Sequence, residues 1–354
     1  NFYKGKKILI TGGTGSLGKA LIKELKNYDC ELIVYSRDEG KQALSFGNDS
    51  SIVRVIGDVR DLDKLDVTMK RHKPDYVIHT GALKRIDDME FYPDECVKTN
   101  IQGSENVAIA SQNNGVKKCI LISTDKACQP VNVYGSSKFI AERIFTNYDY
   151  NSNSTIFSSV RYGNVIASRG SFIPLWMDAI SEGKRMNVTS MEMTRFLFTL
   201  SDAVDTVLKS LYYAEGGEVF IPKINSFKMR VIIDSIKKLV GKDDVETKII
   251  GVRPGEKLHE DMLAKTELPF TYQPDDKLLT VIPQYTNKSH TYSKKYDGKE
   301  FNSSLHNNDN VDDLCELIKR HEGQDNFISQ GNNPDVSTGK NYNDFNIWPA
   351  KKTD

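Results

Sequence analysis

Short apolar runs recur along the first half of the chain, each separated from the next by room for one helix. KILITG (7–12), ELIVYS (31–36), IVRVIGD (52–58), DYVIHTG (75–81) and KKCILIST (117–124) are rich in Ile, Leu and Val and read as strands. Between them, GKALIKELKNY, LDKLDVTMKRH and TNIQGSENVAIASQNNG set apolar residues at helical spacing. Strands that are apolar throughout, alternating with amphipathic helices, predict a parallel sheet covered on both faces. Right-handed crossovers wind such units into an α/β, Rossmann-type doubly wound fold.

Beyond about residue 165 the alternation loosens. GSFIPLWMDAISEGKRMNV and RVIIDSIKKLVGK read as helices, and loops containing MEMTRF and GVRPGEKLHEDM interrupt them. The pattern predicts a Rossmann domain with the catalytic residues over 1–165, and a smaller C-terminal substrate-binding lobe over 166–321, partly interleaved with it. Residues 322–354 are rich in Asn, Asp, Gly and Ser, too polar to bury a core, and read as a flexible tail. The FNIWPA stretch within that tail carries apolar side chains, which leaves docking on a neighbouring subunit open.

Charge adds an exclusion. Lys plus Arg and Asp plus Glu each number 48 in 354 residues, a balance that argues against a nucleic-acid partner. No apolar run is long enough to span a bilayer, and NFYKGKKILITGG lacks a signal-peptide layout, so a cytoplasmic protein without membrane contact is expected. Cys30, Cys96, Cys119, Cys128 and Cys315 are scattered, odd in number and without CxxC spacing. They read as reduced thiols, with neither a disulfide frame nor a metal site. Cys128, close to Asp125, reads as a small packing residue.

The first strand runs into TGGTGSLG, where Gly12, Gly15 and Gly18 precede a helix. Glycines here permit a tight turn and close approach of backbone N–H groups to a pyrophosphate, and the helix N-terminus favours the anion. Thr14, Ser16 and Leu17 of that loop, and Ala82 after the fourth strand, join the candidate dinucleotide contacts. The second strand ends in VYSRDEGK, so Ser36 and Arg37 come before any acid and Lys41 adds a second cation. A basic residue at this point accommodates a 2′-phosphate, which favours NADP. Asp58 and Val59, after the third strand, are candidates to contact the adenine.

Tyr134 and Lys138 stand one helical turn apart. An ammonium beside a phenol stabilises the phenolate, which then takes a proton from an alcohol as hydride leaves its carbon. Immediately upstream, Asp125 and Lys126 sit side by side at the end of an apolar strand, where this fold lines its site.

Taken together, these motifs resemble the extended short-chain dehydrogenase/reductase superfamily. Within it, STDKA is similar to the UDP-N-acetylglucosamine 4,6-dehydratases of polysaccharide and flagellin-glycan synthesis. ALKRIDDMEFYPDECVKTNIQG, VRYGNVIASRGSFIP, MTRF and RPGEKLHEDM carry the likeness further, over about residues 5–265. The resemblance implies oxidation at C4, loss of water across C5 and C6, and return of the hydride to C6. It implies Thr124 as the partner of Tyr134 and Lys138, Lys126 as base, Asp125 as acid and Lys84 as an active-site lysine. Lys126 serves as a base only with a depressed pKa, which Lys84 or Lys138 nearby, together with burial, would provide; Asp125 needs the opposite shift. The resemblance further implies Arg253 and Glu256 as contacts to uridine diphosphate, and Asn164 and Arg169 as substrate contacts. Arg195 is either a phosphate contact or a structural arginine, and His259 reads as structural. A homo-oligomer, dimer or hexamer, is implied as well.

The sequence departs from the family at Thr80 and Gly81, where alanines are common, and beyond residue 266. Of the functional alternatives, a UDP-sugar 4-epimerase requires Tyr134 and Lys138 but leaves the Asp-Lys pair without a task. A C5-retaining dehydratase is a further alternative. Members of about this length without a membrane region often invert C5, so the resemblance implies inversion, but no single residue of this sequence decides it. A non-catalytic NADP-binding protein would be expected to have lost Tyr134, Lys138 or Lys126, and all are present.

Overall fold

The computed structural model describes residues 2–152, 154–166 and 172–325. Six strands, β1 (Lys7–Thr11), β2 (Glu31–Ser36), β3 (Ile52–Ile56), β4 (Tyr76–His79), β5 (Lys118–Ile122) and β6 (Ile156–Val160), pair in parallel in the order β6-β5-β4-β1-β2-β3. Between them run α1 (Ser16–Leu25), α2 (Glu39–Phe46), α3 (Leu62–His72), α4 (Ile86–Phe91), α5 (Pro93–Cys96) and α6 (Gly103–Asn113) before β5, then α7 (Val133–Asn151). The chain leaves β1 in opposite directions towards β2 and β4, so a crevice opens at the carboxyl ends of β1 and β4.

Successive residues of a strand face opposite sides of the sheet, and here both sides are dry. Ile8, Ile10, Val34, Ile78 and Ile120 enter one buried cluster. Leu9, Ile33, Val77, Cys119 and Leu121 enter the other. That is why these strands carry no polar alternation.

The later elements are β7 (Asn164–Val165), α8 (Phe172–Ser181), β8 (Met186–Val188), β9 (Thr194–Phe198), α9 (Leu200–Tyr213), β10 (Val219–Pro222), β11 (Ser226–Lys228) and α10 (Met229–Val240). They continue with β12 (Thr247–Ile249), β13 (Asp261–Leu263), β14 (Thr271–Asp275), β15 (Leu278–Val281), β16 (Phe301–Asn302) and α11 (Val311–Asp325). β10 adds in parallel to β6, and β15 and β14 follow antiparallel, giving a nine-stranded sheet. The sheet therefore crosses the boundary expected at 165, because strands from beyond residue 218 complete its edge. The predicted helix over GSFIPLWMDAISEGKRMNV divides into α8 and the short strand β8, with Gly183 at φ 72 between them. The helix α11 runs to Asp325, past the expected start of the tail at 322, and the rest of that tail lies outside the described residues. A separate apolar cluster, including Ile180, Leu197, Ile232, Ile236 and Leu314, holds α8, α10 and α11 together. Among the described residues no helix is long and apolar enough to cross a membrane.

Candidate active site

The crevice holds a cavity of about 510 Å³, and most of the candidate site residues meet there. Gly12, Thr14, Gly15, Ser16, Leu17 and Gly18 line it from the loop between β1 and α1. Ser36, Arg37 and Lys41 line it after β2, Asp58 and Val59 after β3, and Ala82 and Lys84 after β4. Thr124, Asp125, Lys126, Tyr134, Lys138 and Asn164 complete the wall. Gly12 has φ +65, and a Cβ there would stand 2.8 Å from the backbone of Gly81. The loop is thus closed against the end of β4, and Gly15 caps the ten-residue helix α1. At the end of β2, Arg37 is half-exposed and lies 3.6 Å from the Asp58 carboxylate, while Lys41 pairs with Asp38 at 3.1 Å.

Beyond β5 the backbone stays tied to β6 by Ser123 N–H donating to Val160 O at 2.7 Å, and to the following loop by Asp125 N–H donating to Tyr162 O at 2.9 Å. Asp125–Ala127 then form a single 3-10 turn. Asn132 caps α7, its side-chain oxygen accepting from Gly135 N–H at 2.6 Å. A Cβ at Gly135 would meet the Lys126 carbonyl at 2.2 Å, so only glycine lets α7 lie this close to the turn. This contact sets Tyr134 against the Asp125-Lys126 pair.

The electrostatics differ from expectation in two respects. Burial pushes the Tyr134 hydroxyl up to about 12, against the lowering effect of the Lys126 charge and the Thr124 hydroxyl. The cation that counts is thus Lys126 rather than Lys138, whose own pKa burial lowers to about 8 against the pull of Glu142. Lys126 itself is not depressed by Lys84 or Lys138. Burial lowers it, but the carboxylates of Asp125 and Glu260 outweigh burial and hold it above the usual lysine value. Its Nζ lies 3.0 Å from Asp125 Oδ1 and 3.3 Å from Glu260 Oε1. Asp125 is fully buried and shifts upward, first by burial and then by the charge of Glu260, against Lys126.

Glu260 escaped the sequence reading. It stands directly after His259, yet nothing in local spacing sets it opposite Lys126, more than a hundred positions away. The pairing of β13 with β16 brings it in: Glu260 N–H donates to Ser303 Oγ at 2.8 Å, and Ser303 N–H donates to Glu260 O at 2.8 Å. His259 has a structural partner, its Nδ1 lying 2.8 Å from Thr194 Oγ1.

Other expected contacts lie off the cavity. Arg195 is buried, and its guanidinium donates to the carbonyls of Thr194 at 2.8 Å, Lys257 at 3.1 Å and Leu258 at 3.3 Å. Of its two readings, these partners match the structural one. Arg253 pairs with Glu256 at 3.0 Å and with Asp87 of α4 at 3.1 Å. Their loop borders the site through Asn132, whose Nδ2 donates to Gly255 O at 2.8 Å. Arg169 lies outside the described residues.

Behind the site, Arg161 of β6 is fully buried between two carboxylates, 2.7 Å from Glu142 Oε2 and 3.0 Å from Glu267 Oε2. Glu142 also accepts from Ser123 Oγ at 2.5 Å, so β5, β6 and α7 share one network.

Sheet order, glycine cradle and Tyr-Lys pair are those of the extended short-chain dehydrogenase/reductase class. Residues 8–280 match the family described as Polysaccharide biosynthesis protein, and the chain belongs to that family. It is 45% identical over 278 residues to a Campylobacter jejuni protein named UDP-N-acetylglucosamine 4,6-dehydratase (inverting), covering 77% of this chain and 81% of that one. A Rickettsia massiliae protein named UDP-glucose 4-epimerase is 39% identical over 75% of this chain and 80% of its own. The X-ray structure of Pen from Bacillus thuringiensis superposes with a TM-score of 0.83 at 32% identity, covering 91% of this chain and 99% of Pen.

Proposed function

We propose that the protein is a sugar-nucleotide dehydratase that converts UDP-N-acetylglucosamine to a UDP-2-acetamido-2,6-dideoxy-hexos-4-ulose with inversion at C5. The observation that carries this reading is the buried Asp125-Lys126 pair, which lines the same cavity as Tyr134. Simple alcohol oxidation needs Tyr134 and Lys138 alone; elimination of water needs a further acid and base.

The glycine loop fits a dinucleotide, since a side chain at Gly12 would collide with Gly81 and the α1 N-terminus faces the cavity. Arg37 and Lys41 suit a 2′-phosphate, which supports NADP over NAD. When bound, the dinucleotide would supply the hydride acceptor and donor. Tyr134 takes the C4 hydroxyl proton, and the Lys126 charge and the Thr124 hydroxyl favour its phenolate. A ketone at C4 acidifies the C5 proton, which Lys126 removes while Asp125 protonates the C6 hydroxyl so that it leaves as water. Inversion requires C5 to regain a proton on the opposite face, and the name of the Campylobacter relative supports it. Exposed apolar side chains on neighbouring elements, Phe91 of α4 and Phe139, Ile140 and Tyr150 of α7, support a homo-oligomer.

Asp125→Asn and Lys126→Met test the reading. Each variant is expected to keep dinucleotide binding and to lose formation of the C6-methyl product by about 100-fold or more, followed by proton NMR. Methyl formation by both variants within about 3-fold of the wild type would sink the assignment. Accumulation of a C4 epimer without any methyl product would favour instead the activity for which the Rickettsia relative is named.

A further inference from the structure

The Asp125-Lys126 pair as it stands has a deficit: the structure holds Lys126 as an ammonium, and an ammonium takes no proton from C5. A third buried group is in contact with it. Glu260 is 2% exposed, with Oε1 lying 3.3 Å from Lys126 Nζ and 3.9 Å from Arg195 Nε. Its second oxygen, Oε2, is buried and has no hydrogen-bond partner among the described residues, and the same holds for Asp125 Oδ2. Leaving one carboxylate oxygen unpaired in a dry site is costly in a purely structural ion pair. Glu260 also does not line the cavity, so it reaches substrate only through Lys126.

Three charges face Glu260. Burial pushes its carboxyl up, but Lys126 of the 3-10 turn, Arg195 of β9 and Lys257 of the preceding loop outweigh burial and hold it below the usual range. Asp125 has the Lys126 charge alone and shifts the other way. The two carboxyls thus shift in opposite directions, Asp125 towards the protonated form that an acid requires and Glu260 towards the carboxylate.

We propose that Glu260 is a positioning residue of the dehydration step, whose carboxylate orients Lys126 and accepts its proton so that the free amine acts on C5. The inference rests on the dehydratase reading above. In the step, an N–H bond at Lys126 Nζ breaks and an O–H bond forms on Glu260, leaving both neutral. The ion pair is the resting state, and burial, by penalising charge, lowers the cost of the brief neutral pair. The amine lone pair then takes the C5 proton, and the Asp125 O–H passes its proton to the C6 oxygen, which departs as water. Lys126 is again an ammonium, Asp125 a carboxylate and Glu260 an acid. Transfer from Lys126 to Asp125, and from Glu260 to Lys126, restores the starting state with the same number of protons. The cluster itself needs no proton from solvent to reset.

Glu260→Gln tests this in the full, dinucleotide-loaded protein. The amide still accepts a hydrogen bond from Lys126 but takes up no proton. On mixing with UDP-N-acetylglucosamine, C4 oxidation, read as the near-ultraviolet absorbance of reduced nicotinamide, should stay within about 3-fold of the wild type. C6-methyl formation should fall by about 100-fold, and Glu260→Asp should recover at least about a tenth of it. Methyl formation at the wild-type rate in Glu260→Gln, or equal loss of oxidation and methyl formation, overturns the inference. Should Glu260→Gln fail to bind the dinucleotide, Glu260→Asp decides: slowing of dehydration beyond oxidation supports the role, and equal slowing refutes it. A wild-type protein that forms no methyl product overturns the dehydratase reading itself, whatever Glu260 does.

Discussion

The residues with the sharpest local constraints were the ones legible in the chain. Gly12 has to be glycine because its φ is positive and Gly81 stands where a side chain would go, and the spacing of the loop announces this. The departure at Gly81 is mild for a physical reason: a Cβ there would meet Thr11 Oγ1 and Val59 Cγ1 at 3.4 Å, an ordinary contact. Glu260 was not legible, because its partner is supplied by tertiary structure. Nor was His79, at the end of β4, buried between Thr11 Oγ1 at 2.6 Å and Ser104 Oγ at 3.1 Å. Burial, with Lys138 adding to it, drops the His79 pKa from 6.5 to about 3, so the ring is neutral in the fold. The unfolded chain binds a proton on this histidine below about pH 6.5 and the fold does not until about pH 3. Stability should thus fall as pH drops through that window, by about 2–3 kcal/mol from this group at about pH 4.5. His79→Asn should flatten the acid slope in urea unfolding; an unchanged slope would show that His79 is not the group responsible.

At the scale of elements, apolar patterning identified the parallel strands and long helices because both faces of the sheet are buried. It missed α2 (EGKQALSF), since VYSRDEGK was read for its charges alone, although Asp38 caps the helix by accepting from Lys41 N–H at 2.8 Å. It missed the strands from β7 to β16, which are two to five residues long and, apart from the β14–β15 hairpin, pair with partners far along the chain. The same distance hides the Arg161 network, where β6 reaches Glu267 across 106 positions. Removing Arg161 leaves two carboxylates near one another without their cation. Arg161→Ala should therefore cost about 3–5 kcal/mol, seen as a lower urea midpoint, and should loosen α7 against β5. A loss below about 1 kcal/mol would mean that the carboxylates find other partners.

For the whole molecule, the arrangement divides labour along the crevice. On the proposed reading, the β1 and β2 side offers the glycine cradle and cationic residues for a dinucleotide, and the β5 side offers Asp125, Lys126 and Tyr134 as acid, base and phenol. The later strands, which sequence patterning assigned to a smaller lobe partly interleaved with the first, complete the sheet and bring Glu260 up to Lys126 from outside the cavity. The central claim is that this crevice eliminates water across C5 and C6 of a UDP-sugar. Incubation of the NADP-loaded protein with UDP-N-acetylglucosamine in deuterium oxide, followed by proton NMR, tests it most directly. The account predicts a new C6-methyl signal, deuterium at C5 and ring couplings of the inverted sugar. UDP-N-acetylgalactosamine as the sole product, with protium kept at C5, would contradict it.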